Sequence, residues 1–183
     1  LDATETIGKL SSILEIGYER QGANAAVALL LQVAGQDLRA LLVKRAVNPI
    51  DSWSGHMALP GGKRDVEDRD LKETVIREVL EEININVHDR CRFLGVLSAQ
   101  RSKRRPELII LPFVIILEQE PSIKVNEKEV EKFIWVSLKE LAQNERVVTI
   151  NFVKRPAYII NKDIIWGITY RILREFINVL TSQ

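Results

Sequence analysis

The sequence predicts a single α/β (α+β) domain, with a mixed β-sheet sandwiched between α-helices. Three observations carry this. Several apolar runs have strand length. Other segments repeat apolar residues at helical spacing. Strands and helices alternate with no Gly/Ser/Pro-rich linker between them.

Taken in order, residues 3–19 read as a helix with Ile7, Leu10, Leu14 and Ile16 on one face. Ala25 to Val33 and Leu38 to Lys44 are apolar runs around Gly35-Gln36-Asp37, a hairpin signal. Residues 46–62 hold Pro49, Gly55 and Pro60-Gly61-Gly62, and read as a long loop with a short extended piece. Asp70 to Ile83 has helical spacing, with Leu71, Val75, Ile76, Val79 and Leu80 on one side. Arg92 to Ala99 and Leu108 to Leu117 read as strands joined by the polar stretch 100–107. Phe133 to Val136 reads as a short strand leading into a small helix through Leu141. Ile164 to Leu180 reads as a closing amphipathic helix that includes Trp166.

The 183 residues suffice for one domain with a sizeable core. Hydrophobic residues at 46% and charged residues at 28% are the balance of an ordinary globule. With 26 Lys+Arg against 25 Asp+Glu the net charge is +1, which argues against a nucleic-acid partner. No apolar run has the length of a membrane span, and no signal peptide is evident. The single Cys91 excludes an intrachain disulfide and fits a reducing, cytoplasmic setting; it reads as core rather than nucleophile.

The informative stretch is GGKRDVEDRDLKETVIREVLEEINI, residues 61–85. Gly61 and Gly62 allow a tight turn and a close backbone approach. Asp65, Glu67, Asp68 and Asp70 stand where a helix begins, which suits its dipole; capping alone would explain them. Glu78, Glu81 and Glu82 then follow at i, i+3 and i+4, which puts three carboxylates on one face within a turn. Unneutralised, they repel. A hard divalent cation such as Mg²⁺ or Mn²⁺ would neutralise them and bind phosphates as well. Arg77, four residues before Glu81, is placed to orient it. The bland alternative is a solvated acidic helix face.

This stretch resembles the Nudix box, a glycine and an acidic residue followed by an REUxEExGU segment with U aliphatic. Arg77-Glu78-Val79-Leu80-Glu81-Glu82 matches its second half. Asn84 replaces the final glycine, a mild change because Asn tolerates left-handed backbone. The first half is one residue longer than usual, and its mid-box acid falls at Glu67 or Asp68. That longer spacing, LLVKRAVNPIDSWSGHMALPGG at 41–62 and IIWGITYRIL at 164–173 are similar to the coenzyme A diphosphatase subgroup, and NEKEVEKFIWVSLKEL at 126–141 resembles the Nudix family's acidic loop and following strand. Its arginine between Arg45 and Gly55 is absent, and its phenylalanine is Leu59. The resemblance covers roughly residues 24–180.

The resemblance implies a Nudix fold over residues 1–183, with residues 1–22 a helical extension. It implies metal-assisted attack of water on a diphosphate in a small-molecule nucleotide, acting as monomer or homodimer. Glu78, Glu81, Glu82 and the Gly61 carbonyl are the candidate metal ligands for Mg²⁺ or Mn²⁺. Glu78, or Glu127 or Glu129 in the acidic loop, is the candidate base. Arg45, Gly62 and Arg101, the last in a basic run with Lys103, Arg104 and Arg105, are candidates for substrate contact. His56 reads more readily as a packed or hydrogen-bonded loop histidine than as a substrate contact, and Trp53 would suit either base stacking or anchoring of the loop. Coenzyme A or a derivative is the expected substrate, giving 3′,5′-ADP and a phosphopantetheine. ADP-ribose, NADH or a nucleoside triphosphate, and a non-catalytic binding module, are the alternatives.

Overall fold

The computed structural model describes residues 3–14, 22–50 and 53–181. Its centre is a mixed sheet built on β1 (Ala25–Ala34), β2 (Asp37–Arg45), β3 (Met57–Ala58), β7 (Ile109–Leu117) and β5 (Cys91–Val96), in the order β3-β2-β1-β7-β5. β1 and β7 run parallel, while β1 and β2 form the expected antiparallel hairpin. Short β4 (Gly61–Lys63) pairs with β1, β6 (Gln100–Arg101) with β7, and β8 (Val130–Ser137) with β2.

The strand period of two divides the core. Ala26, Ala28 and Leu30 of β1, with Leu41 and Val43 of β2, meet Leu71, Val75, Val79 and Ile83 of helix α2 (Leu71–Ile83). Leu29, Leu31, Ala40 and Leu42 face the other way. They meet α1 (Ala3–Ile13), α3 (Leu138–Gln143) and α4 (Gly167–Thr181). This is the expected sheet between helices. Leu80 departs from the expected stripe and is 46% exposed.

A second sheet was not legible in the sequence. It joins β9 (Glu145–Ile150), β10 (Val153–Ile160) and β11 (Asp163–Trp166) in the order β11-β10-β9. Asn151 and Phe152 form the hairpin turn with φ of 50° and 64°, which two-residue turns require. The expected helix from Ile164 is corrected here: Ile164–Trp166 pair with β10, and the helix starts at Gly167, whose φ of 67° turns the chain. The expected helix over 3–19 is present to Ile13, and its 15–19 portion, with Ile16, lies outside the described residues.

Candidate functional site

Helix α2 begins at Asp70, whose carboxylate accepts the Glu73 N–H at 2.8 Å. It ends at Asn84, which adopts left-handed geometry (φ 57°, ψ 33°) and donates its N–H to the Leu80 carbonyl. Between these caps the apolar stripe faces the sheet. The stripe's flank therefore carries Glu78 and Glu82 towards the β4 strand, while Glu81 stays exposed.

Two glycines make this approach possible. Gly61 has φ 148°, and a Cβ there would lie 2.2 Å from the Ala26 carbonyl oxygen. A Cβ on Gly62 would lie 2.4 Å from Glu78 Oε1. The Gly61 N–H donates to Glu82 Oε2 at 3.0 Å. Strand β4 is thus pressed between β1 and the carboxylates of α2, and the pair Gly61-Gly62 is the sequence feature that allows it.

Arg77 organises the acids around it. Its guanidinium donates to Asp68 at 2.9 and 3.1 Å, to Glu78 Oε1 at 2.9 Å, to Glu81 Oε2 at 3.2 Å and to the Lys63 carbonyl at 3.2 Å. Asp68 also accepts from the Asp65 N–H and the Thr74 hydroxyl, each at 2.9 Å. The Arg77 hydrogen bonds hold the Asp68 carboxyl well below the usual carboxylate range. Of the two acids that spacing left open, Asp68 is the buried one and Glu67 is exposed.

Burial dominates the other two carboxylates. Glu82 is 3% exposed, and desolvation pushes its carboxyl up to about 8 against the pull of the Gly61 N–H and Arg45. Burial also raises Glu78, opposed by Arg77. Arg45 Nη1 stands 3.9 Å from Glu82 Oε1. Glu127 and Glu129 are both exposed on the acidic loop, and the charge of Glu129 raises Glu78 and Glu82. Asn126 and Lys124 donate their N–H groups to the Glu82 and Ile83 carbonyls at 2.9 and 3.2 Å, which fixes this loop to the end of α2.

Other sequence candidates lie elsewhere. Arg101 is exposed on β6 and donates to the Pro106 carbonyl of its own loop rather than to the carboxylates of α2. Trp53 packs beside Ala25, Leu108 and Ile110, and Arg105 stacks on it at 4.7 Å. His56 meets Trp166 edge to face at 5.1 Å. Cys91 is half-buried, and burial pushes its thiol up to about 11, where a thiolate nucleophile is disfavoured.

Among the described residues no three Asp, Glu, His or Cys groups stand as a ready-made metal cluster. The donor chemistry nevertheless fits a hard divalent ion. The charges of Glu81 and Glu129 raise Glu78, those of Glu78 and Glu129 raise Glu82, and every donor is an oxygen. Glu78 and Glu82 would hold such an ion, with Glu81 beside them.

The NUDIX domain family is matched over residues 22–155. A peroxisomal coenzyme A diphosphatase of Caenorhabditis elegans, ndx-8, is 29% identical over 143 residues, covering 76% of this chain and 60% of that protein. An uncharacterized Nudix hydrolase, NudL, of Photorhabdus laumondii is 28% identical over 158 residues, 83% of each chain. An uncharacterized Schizosaccharomyces pombe protein is 38% identical over 106 residues, 55% of this chain and 32% of its own length. The chain thus spans under two thirds of the worm and yeast relatives. Among solved structures, RenU, a Nudix hydrolase of M. smegmatis, superposes with a TM-score of 0.61 at 15% identity, covering 87% of this chain and 86% of its own. With the matched region enclosing β4, helix α2 and the whole carboxylate cluster, the chain belongs to the Nudix family.

Proposed function

We propose that this chain hydrolyses the diphosphate bond of a nucleoside diphosphate linked to another moiety, with coenzyme A or a derivative as substrate. The observation that carries the reaction is Glu82: a carboxylate buried against the Gly61 N–H, beside Glu78 and facing Arg45. A protein keeps such a costly group where a cation and phosphates complete it. The coenzyme A reading is supported by the longer box, the segments at 41–62 and 164–173, and the name of the C. elegans relative.

Glu78, Glu81 and Glu82, with the Gly61 carbonyl, would hold Mg²⁺ or Mn²⁺, which would neutralise charge and make a bound water more acidic. Glu78 is then placed to take the proton of the attacking water, with Glu129 as the alternative base from the acidic loop. Arg77 holds Glu78 and Glu81 in place. Arg45 offers its guanidinium to a phosphate oxygen. Gly62, lacking a side chain, leaves room for the Glu78 carboxylate against β4, beside where the diphosphate would bind.

Product analysis on a substrate panel with Mn²⁺ tests this. Release of 3′,5′-ADP and phosphopantetheine from coenzyme A is expected. Turnover of ADP-ribose, NADH or a nucleoside triphosphate but not coenzyme A would overturn the substrate. No turnover of any of them would leave a binding module instead.

A further inference from the structure

The feature that the proposed chemistry does not use lies where β10 meets β11. Arg155 of β10 is half-buried, and its Nε is fully buried with no hydrogen-bond partner among the described residues. Its guanidinium carbon lies 5.7 Å from the centroid of the Trp166 ring. Trp166 in turn meets His56 edge to face, with centroids 5.1 Å apart. The His56 carbonyl accepts the Arg45 N–H at 3.0 Å, and Arg45 reaches Glu82. An unbroken line of contacts therefore runs from the carboxylate cluster to Arg155.

A buried N–H without an acceptor costs about 1–3 kcal/mol. The Trp166 face offsets part of the charge, yet a ring face is a diffuse partner and leaves the guanidinium fork without an oxygen to grip. A guanidinium kept beside a ring, with no oxygen partner among the described residues, retains its donors for a phosphate. The family match ends at residue 155, and Trp166 lies beyond it, in the segment 164–173 that is similar to the coenzyme A diphosphatase subgroup. Substrate choice, rather than the shared reaction, is what such a segment can set.

We propose that Arg155, held beside Trp166, which His56 in turn meets, recognises a phosphate monoester that the substrate's nucleoside carries outside the reacting diphosphate. This rests on the diphosphatase reading for its substrate, but a binding test separates the two.

Calorimetric titration of the metal-loaded protein with 3′,5′-ADP and with 5′-AMP is the direct measurement. The wild type is expected to prefer 3′,5′-ADP. Arg155→Gln should weaken 3′,5′-ADP at least tenfold and leave 5′-AMP unchanged, with Arg155→Lys in between. In turnover, KM for a phosphorylated substrate should rise with kcat unchanged. Should the Gln variant unfold on a thermal melt, the Lys variant carries the comparison. A wild type without the preference, or variants that keep the wild-type ratio, would overturn the assignment. Arg155-dependent binding without hydrolysis of any diphosphate would uphold it and sink the diphosphatase reading.

Discussion

Arg77 meets Asp68 side-on, Nε to Oδ1 at 3.1 Å and Nη2 to Oδ2 at 2.9 Å, while its remaining nitrogen serves Glu78 and Glu81. One guanidinium thus ties the loop before α2 to the carboxylates that α2 presents. The loop acid sets the orientation of the arginine, and the arginine sets that of the acids.

Asp68→Ala should therefore cost about 3 kcal/mol, because Arg77 loses a buried partner. The Arg77 bonds depress the Asp68 carboxyl below its ordinary value of 3.8. Its stabilisation is thus complete above that value and fades as pH falls towards the folded-state value. Urea unfolding from pH 6 down to pH 2 should show this acid limb in the wild type and a flatter one in Asp68→Asn. Glu67→Gln should change neither curve.

Glu82 runs in the opposite direction. Its carboxyl is raised from 4.5 to about 8, so the folded protein holds the proton that the unfolded chain releases. In metal-free protein, stability should fall as pH rises between those values. Glu82→Gln should remove that fall, raise the melting temperature at pH 8, and reduce turnover at least a hundredfold. A variant as active as wild type would refute the assignment.

The two glycines should fail differently. Gly61→Ala places a Cβ against backbone at φ 148° and should destabilise the fold by about 2–3 kcal/mol. Gly62→Ala meets only the flexible end of Glu78, so the melting temperature should move little while kcat drops about tenfold or more. Melts and steady-state kinetics on the pair check this.

Within the acidic loop, Glu129→Gln should change turnover and its Mn²⁺ dependence. Glu127→Gln should leave both near wild type. Equal effects would show that the loop acts only through its overall charge.

The central sheet and α2 were legible because each buries a face at its own period, and Gly61-Gly62 with Glu78 and Glu82 survives as a local pattern. The small sheet was not. Ile164, Ile165 and Ile168 share a helical stripe with the residues of α4, and only strand pairing with Tyr158 and Ile159 reveals the first two as extended. Glu67 against Asp68, and Glu127 against Glu129, could not be separated by spacing. Each choice is made by how a loop turns, which depends on distant partners such as Thr74 and Arg77. Arg155 and Trp166 come from strands that sequence periodicity did not resolve.

The hydrogen bonds from Asn126 and Lys124 to the last turn of α2 have a consequence for motion. The loop bearing Glu129 and the helix bearing Glu82 are one mechanical piece, so thermal excursions of either carry the other along. Amide exchange in residues 124–130 should accordingly slow to the pace of α2 rather than that of a surface loop, and an insertion there would loosen the helix end before it touched any charge.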